Sequence, residues 1–308
     1  MTTGRVRAGR ILVVGDIVTD VLAVHSEALA VDSDTQARIS LTGGGSAANT
    51  AAWIASTGAA VDLLGVVGTD AAGDDRMAEL AAAGVGCGLI RRTTAAPTGS
   101  VIVLARAQDR TMLCDRGANH DLHSSDVDTA IAALPDLTHV HLSGYTLLDE
   151  SSRPAGLRAL ATAAERGIST SVDAASAAPL SRVGGESFLG WVRGADLLFA
   201  NLDEARVLSS STVDSASLVA EALARTVPTV VVKLGPGGAV WASAEGVVPV
   251  PAEPATVVDT TGAGDAFAGG FLAARMGGAE VGAALAAAVR LGAQAVGIVG
   301  GRPVSPRR

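Results

Sequence analysis

Seven short apolar runs recur along the chain, at 11–14, 61–67, 100–105, 139–142, 168–172, 197–200 and 229–234. Ala- and Leu-rich stretches of helical length fall between them, at 47–57, 77–83, 153–166, 215–224, 263–276 and 281–296. Runs this short and this uniformly apolar read as strands covered on both faces, and helices between them supply the covers. The pattern predicts an α/β fold with a mostly parallel central sheet between two helical layers. Hydrophobic residues make up 48% of the chain but aromatics only 3%, so the core must come from Ala, Val and Leu. That mixture suits helices on a parallel sheet better than an all-β sandwich. In such sheets ligands gather at the carboxyl ends of the strands, so polar and Gly-rich segments there are the places to look for chemistry.

Two segments, 18–42 and 97–120, break the alternation with extended pieces, turns and polar residues, and read as a small β-rich flap. With 31 acidic against 23 basic residues and no Lys/Arg block, the chain has no electrostatic footprint for nucleic acid or an anionic membrane. The basic N-terminus is followed by only four apolar residues before Asp16, which argues against a secretory or membrane segment. The apolar stretch 279–299 is interrupted by Glu280, Arg290 and Gln294 and reads as a buried core helix. A cytoplasmic protein is expected. Cys87 and Cys114 are too few for a disulfide framework and read as buried thiols, and the tail 300–308 reads as frayed.

The most informative stretch is Asp259-Thr-Thr-Gly-Ala-Gly-Asp265-Ala-Phe267. Gly262, Ala263 and Gly264 let backbone approach a ligand closely, and an Ala-rich helix begins at once behind them. A helix N-terminus carries unpaired N–H groups and partial positive charge, so it favours an anion such as a phosphoryl group. An Asp in its first turn can take the proton of an attacking hydroxyl. Asp is also a common helix cap, but glycines on both sides of an alanine exceed what a cap requires.

A second cluster, Gly43-Gly-Gly-Ser-Ala-Ala-Asn49, also leads into a helix. Gly43, Gly45 and Ala48 formally satisfy the dinucleotide fingerprint G-x-G-x-x-G/A. The context is wrong for a nicotinamide-dependent dehydrogenase. The first strand ends in Val14-Gly15-Asp16 with no glycine triplet, and no strand-end acid stands about 20 residues beyond the cluster. A loop in which Gly44 and Gly45 let a polyhydroxylated substrate lie against backbone, with Asn49 supplying its amide, fits better.

Taken in order, these clusters resemble the two signatures of the ribokinase-like (PfkB) carbohydrate kinase family over nearly the whole chain. Gly44-Gly45, Asn49, Thr50-Ala51, Gly58 and Gly68 match the first, and 259–272 the second. The resemblance implies a ribokinase-like three-layer α/β/α fold, with 1–308 as one kinase domain and 18–42 and 97–120 as its lid. It implies ATP-dependent phosphorylation of a hydroxyl or hydroxymethyl group of a small sugar or sugar-like molecule. Asp265 would be the base, and the amides of Gly262, Ala263 and Gly264 the anion hole. ATP and Mg²⁺ are the implied cofactors. Asn201 and Glu204 match the family's N-x-x-E motif, which places Mg²⁺ and phosphates largely through water, as suits an ion that prefers oxygen ligands. Lys233-Leu-Gly-Pro-Gly-Gly238 resembles the nucleotide-binding turn, with Gly235 and Gly238 near ATP and Lys233 either neutralising phosphate or pointing to solvent. Asp259 and Thr261 match positions that help bind a monovalent cation such as K⁺.

On the substrate side, a carboxylate just past the first strand can accept hydrogen bonds from two sugar hydroxyls. Asp20 matches the family's sugar-binding Asp, while Asp16 either shares that task or braces the turn. Arg110 and Asn119, in the second flap segment, are candidates to close over the substrate and exclude water. Where ribokinases carry a Glu after the central strand, this chain has Ser143-Gly-Tyr145. The segment 173–179 lacks the Arg with which ketodeoxygluconate kinases hold a carboxylate, which argues against an acid sugar. The Tyr145 ring could stack on a base, which keeps nucleosides such as pseudouridine or adenosine open. His139 and His141 read as structural, not as metal ligands. A sugar sensor on a retired kinase scaffold would have lost the base or its glycines, and both are intact. Several branches of the family form a homodimer through the flap, and no residue pattern here decides it.

Overall fold

Ile11 and Val13 point to one side of the first strand, Leu12 and Val14 to the other, and all four are wholly buried. The structure, a computed structural model, describes residues 9–106 and 109–303; the side chains of residues 109 and 110 lie outside it. That first strand, β1 (Arg10–Val14), is followed in chain order by β2 (Val18–Val24), β3 (Arg38–Gly44), β4 (Val61–Gly68), β5 (Ile90–Thr93), β6 (Gly99–Arg106) and β7 (Asp109–Asp115). Then come β8 (Leu137–Ser143), β9 (Ser169–Asp173), β10 (Leu197–Asn201), β11 (Thr229–Lys233), β12 (Ala239–Ser243) and β13 (Gly246–Val250). Ile11 and Val13 join a core with the helices Ser46–Ser56, Ala263–Met276 and Val281–Ala295. Leu12 and Val14 join a second core with Ser124–Ala133, Arg153–Glu165 and Leu202–Ser209. The three-layer α/β/α arrangement thus follows from the period-2 alternation of strands that are apolar on both faces.

The large sheet runs β13-β12-β11-β10-β9-β8-β1-β4-β5. Its pairings are parallel from β5 to β11, and only the β11-β12-β13 edge is antiparallel. Chain order reverses at β1, with β4 and β5 on one side and β8 to β13 on the other. The loops leaving β1 and β8 therefore diverge and open a crevice at their carboxyl ends. Six of the seven expected runs enter this sheet. The run 100–105 enters a second, smaller sheet of order β3-β2-β6-β7, built from the flap segments. In it Val21 pairs with Leu41 and Ile102, and Ile102 with Leu113, so these residues share one face. Leu41, Ile102, Leu113 and Ile39 are exposed there.

Several expectations are corrected. The stretch 279–299 is not a buried core helix: Val281–Ala295 buries only Ala284, Leu285, Ala288, Val289 and Ala295, on the side that packs against Ala263–Met276. Cys114 is exposed on β7, because the small sheet has no second layer over that strand, and Cys87 is only half-buried. Residues 300–302 are not frayed but pinned, Gly301 by the Trp53 indole N–H, which donates to its carbonyl at 2.9 Å. No helix among the described residues is long and apolar enough to cross a membrane.

Candidate active site

The helix Ala263–Met276 starts from Gly262 in the left-handed region (φ 72°), where a Cβ would overlap the Gly301 backbone. Asp265 lies in the first turn, pointing back toward the crevice. Its Oδ1 accepts from the Ser46 hydroxyl at 2.9 Å and its Oδ2 from the Asn49 amide at 3.0 Å. Burial pushes its pKa up to about 7, with a further push from Asp173; Asn49, Ser46 and Lys233 oppose the rise without cancelling it. A carboxylate that titrates near neutrality is well matched to general base work.

Ser46 ties this base to the first strand. Its backbone N–H donates to Asp16 Oδ2 at 3.0 Å, and Asp16 Oδ1 accepts from the Ser143 hydroxyl at 2.8 Å. Asp16 thus sits at the start of Ser46–Ser56 and joins the ends of β1 and β8, the bracing alternative of the two open in the sequence. Asp20, on β2, lies against Gly44, where a Cβ would overlap its carboxylate. Burial raises the Asp20 pKa to about 6, while Arg302 pulls the other way.

The glycine triplet is closely surrounded by the chain's own groups. A Cβ on Gly43 would meet Arg302, one on Gly44 the Asp20 carboxylate, and one on Gly45 (φ 96°) the Asp16 carbonyl. The space is taken by the chain's own groups. Arg302 donates to the Gly44 carbonyl at 2.8 Å, to Asn49 Oδ1 at 3.2 Å and to Glu79 at 3.3 Å. The segment leading to it is fixed by Asp259, whose Oδ2 accepts from Gly300 N–H at 3.0 Å and whose Oδ1 accepts from the Thr261 N–H and hydroxyl.

On the other side of Asp265, Lys233 ends β11 and is not directed to solvent. Its ammonium pairs with Asp173 at 2.6 Å, and a Cβ added to Gly264 would lie 3.0 Å from its Nζ. Burial lowers the Lys233 pKa, but Asp173 and Glu204 outweigh burial and the net shift is upward. Asn201 and Glu204 form a reciprocal capping box: Glu204 N–H donates to Asn201 Oδ1 at 2.9 Å, and Asn201 N–H to Glu204 Oε2 at 2.7 Å. Glu204 is buried, and burial with Asp173 beside it raises its pKa to about 7. Asp173, Glu204 and Asp265 share one ammonium. Among the described residues no three carboxylate, imidazole or thiol groups come together to hold a metal directly, so Mg²⁺ would be met here through water, beside the carboxylate excess of Asp173, Glu204 and Asp265. Gly235 (φ 56°) faces open space, whereas Gly238 (φ 85°) is packed against the Val250 carbonyl and serves the turn itself.

Asn119 does not reach a substrate. Its Oδ1 accepts from Ile17 N–H at 2.8 Å, and its amide donates to the carbonyls of Ile17 and Arg116 at 3.0 and 2.7 Å. With both amide hydrogens given to backbone carbonyls and its oxygen taking the Ile17 N–H, it clamps the base of the small sheet. The Arg110 side chain lies outside the described residues. Arg116 lies over the Tyr145 ring, with its guanidinium carbon 5.3 Å from the centroid, and comes within 4.0 Å of Asp16.

Ser46, Asp173, Arg116 and Arg302 are the site residues that motif reading passed over. Ser46 and Asp173 had local signals, a hydroxyl directly behind three glycines at a helix start and a carboxylate at the end of an expected strand. Residues 8–308 match the model of the pfkB family carbohydrate kinases. The chain belongs to that family. This pfkB-family kinase is 33% identical over 262 residues to an ATP-dependent ribose-1-phosphate kinase of Halopiger xanaduensis, covering 84% of this chain and 82% of the relative. Among solved structures, it is similar to the adenosine kinase from Sinorhizobium meliloti, with a TM-score of 0.85, 25% identity and 97% of each chain covered. A putative Ribokinase II from E. coli in complex with ATP and Mg²⁺ gives a TM-score of 0.83 and 26% identity, covering 95% of this chain and 94% of that one. The pfkB-family kinase described here is accordingly an ATP-dependent phosphotransferase with an alcohol group as acceptor.

Proposed function

We propose that this kinase moves the γ-phosphoryl group of ATP to the hydroxymethyl group of a pentose-type sugar, with Asp265 as base. The observation that carries the reading is the carboxylate itself: raised to about 7, held by Ser46 and Asn49, and set in the first turn of a helix that opens with Gly262. The acceptor hydroxyl donates to Asp265, which takes its proton as the new O–P bond forms and the bond to ADP breaks. The N–H groups of Gly262, Ala263 and Gly264, with Lys233 beside them, favour the negative charge on the group in transit. Mg²⁺, held through water by Glu204 and Asn201, would neutralise phosphate charge. Asp259 and Thr261 would support a monovalent cation such as K⁺, whose effect is to fix the loop ahead of the anion hole.

Asp20 is the proposed polyol clamp, its raised pKa (about 6) marking a carboxylate short of hydrogen-bond donors that sugar hydroxyls would supply. The small sheet, with segments near 18–42 and 97–120, acts as the lid of a single kinase domain and shuts water from the acceptor site. A nucleoside acceptor is disfavoured, because Arg116 already covers one face of the Tyr145 ring. The exposed apolar face of Leu41, Ile102 and Leu113 suits a second copy of this chain, and sedimentation of wild type against Leu41→Lys tests that pairing. We place the enzyme in the cytoplasm, where ATP is supplied.

The test is ATP consumption by the purified protein with pentoses, pentose phosphates, hexoses, keto-deoxy acids and nucleosides, in K⁺ and Mg²⁺. Turnover confined to pentose-type acceptors is expected. Turnover with none of them removes the kinase reading, and turnover with nucleosides alone moves it to that class.

A further inference from the structure

Resting on that reading, we infer that Arg302 is a positioning residue for the base: it locks the Asn49 side chain in the one orientation that donates to Asp265. An amide has an oxygen at one end and two N–H bonds at the other, and its shape favours neither way round. The neighbours of Asn49 decide. Arg302 Nε, which can only donate, lies 3.2 Å from Asn49 Oδ1, and Asp265 Oδ2, which accepts when ionised, lies 3.0 Å from Asn49 Nδ2. Turned over, the amide would set N–H against N–H at Arg302 and oxygen against oxygen at Asp265. Without Arg302 only the second conflict remains, and it vanishes once Asp265 takes a proton and donates to the turned amide. Arg302 therefore favours the ionised base through Asn49, as well as by its own charge. Against burial and Asp173, which raise the Asp265 pKa, the Asn49 hydrogen bond is the leading influence that lowers it.

Arg302 is itself held on every side. Its side chain is only 12% exposed, and each of its three nitrogens has its own acceptor: Nε has Asn49, Nη2 the Gly44 carbonyl at 2.8 Å and Nη1 Glu79 at 3.3 Å. Glu79 gives its other oxygen to Arg76 at 2.6 Å, and Arg76 donates to the Thr19 hydroxyl on β2 and the Thr42 carbonyl on β3. A chain of charged contacts thus runs from the strands of the lid to the base. The segment that carries Arg302 is fixed independently, by Trp53 on the Gly301 carbonyl and by Asp259 on the Gly300 N–H. Gly301 packs so closely on the amide that a Cβ there would overlap Asn49 Nδ2. The other titratable groups facing Asp265 are Asp173 from β9, Lys233 from β11 and Tyr145 after β8; those facing Arg302 are Glu79, Arg76 and Asp20.

The experiment follows the Asp265 carboxyl carbon by NMR as pH is varied, its signal identified by its loss in Asp265→Asn. Wild type, Arg302→Met, Asn49→Ala and the double variant are compared. Arg302→Met is expected to raise the titration midpoint by about one pH unit, but by less than about a third of that where Asn49 is already alanine. Turnover of ribose and of ribose 1-phosphate with ATP should show the same change. In Arg302→Met, kcat at pH 7 should fall about fivefold and recover toward pH 9, with KM for ATP unchanged. An unmoved midpoint, an equal rise with and without Asn49, or an acid limb of kcat left at its wild-type position would each overturn the inference. Arg302→Gln carries the same comparison if Arg302→Met does not fold. Neutron diffraction from wild type needs no variant, and the Asn49 nitrogen turned toward Arg302 there would also overturn it. The midpoints are read without substrate, so their failure is distinct from that of the kinase reading, which falls if wild type turns over no acceptor.

Discussion

The substitution Asp265→Asn should abolish activity and stabilise the protein, and the gain should depend on pH in a set direction. The rise from 3.8 to about 7 means that the folded state binds the Asp265 proton more tightly than the unfolded chain does. Stability from this group is therefore full below about pH 4 and is lost as pH rises through 7. That loss corresponds to about 4 kcal/mol. Asp265 keeps some exposure at the mouth of the crevice, and screening there brings the figure to about 2 kcal/mol. The amide that replaces the carboxylate has no charge to bury, so the variant should match wild type near pH 4 and exceed it by about 2 kcal/mol near pH 8. Urea denaturation at several pH values measures the difference, and turnover measured in parallel should fall about a thousandfold. A stability difference that does not change with pH would refute the buried-carboxylate reasoning. Turnover within tenfold of wild type would refute the base.

Lys233→Met leaves Asp173 and Glu204 without their cation and should cost about 3 kcal/mol or more by urea denaturation; adding Asp173→Asn should recover over half of it. A cost under about 1 kcal/mol would mean the cluster is not coupled. Asn119→Ala strips partners from the N–H and C=O of Ile17 and should cost about 3 kcal/mol, read as a thermal midpoint lowered by several degrees. His139 and His141 are pushed down to about 3 and about 4, chiefly by burial, and are neutral in the fold. Because both folded values lie below 6.5, each contributes stability that is full above 6.5 and is lost as pH falls toward 4. Unfolding near pH 5.5 should take up about one proton fewer in His141→Phe than in wild type, measured by calorimetry in buffers of different ionisation heat.

Strands β1, β4 and β8 to β11 were legible because a strand buried on both faces must be apolar throughout, and few other structures require that. The β12-β13 hairpin was harder to see: it is an edge with half-exposed residues and no such run. Alanine misled at 281–296, since it suits a buried or an exposed helix equally well and so marks the helix without marking its face. Within the site, Asp265, Asn49 and the Asn201–Glu204 pair could be found because each sits at or near a helix start, whereas Asp20, inside β2, was reached only through the family resemblance. Ser46 lies 219 residues from the carboxylate it donates to, and Arg302 lies 253 from Asn49. Contacts over such separations leave no local spacing to read. Asn119 was found but misassigned, because sequence shows an amide and not which backbone groups consume it.

The position of Arg116 over the Tyr145 ring has a practical consequence for observing the enzyme at work. Tyr145 is the only tyrosine in the chain. Its hydroxyl bonds to Ser176, and its pKa is raised by burial and by Asp16. A single isotope-labelled tyrosine signal would therefore come from the crevice alone, with no engineered probe. Its chemical shift, set in part by the nearby positive charge, would report whether the guanidinium stays in place or swings away as a ligand enters.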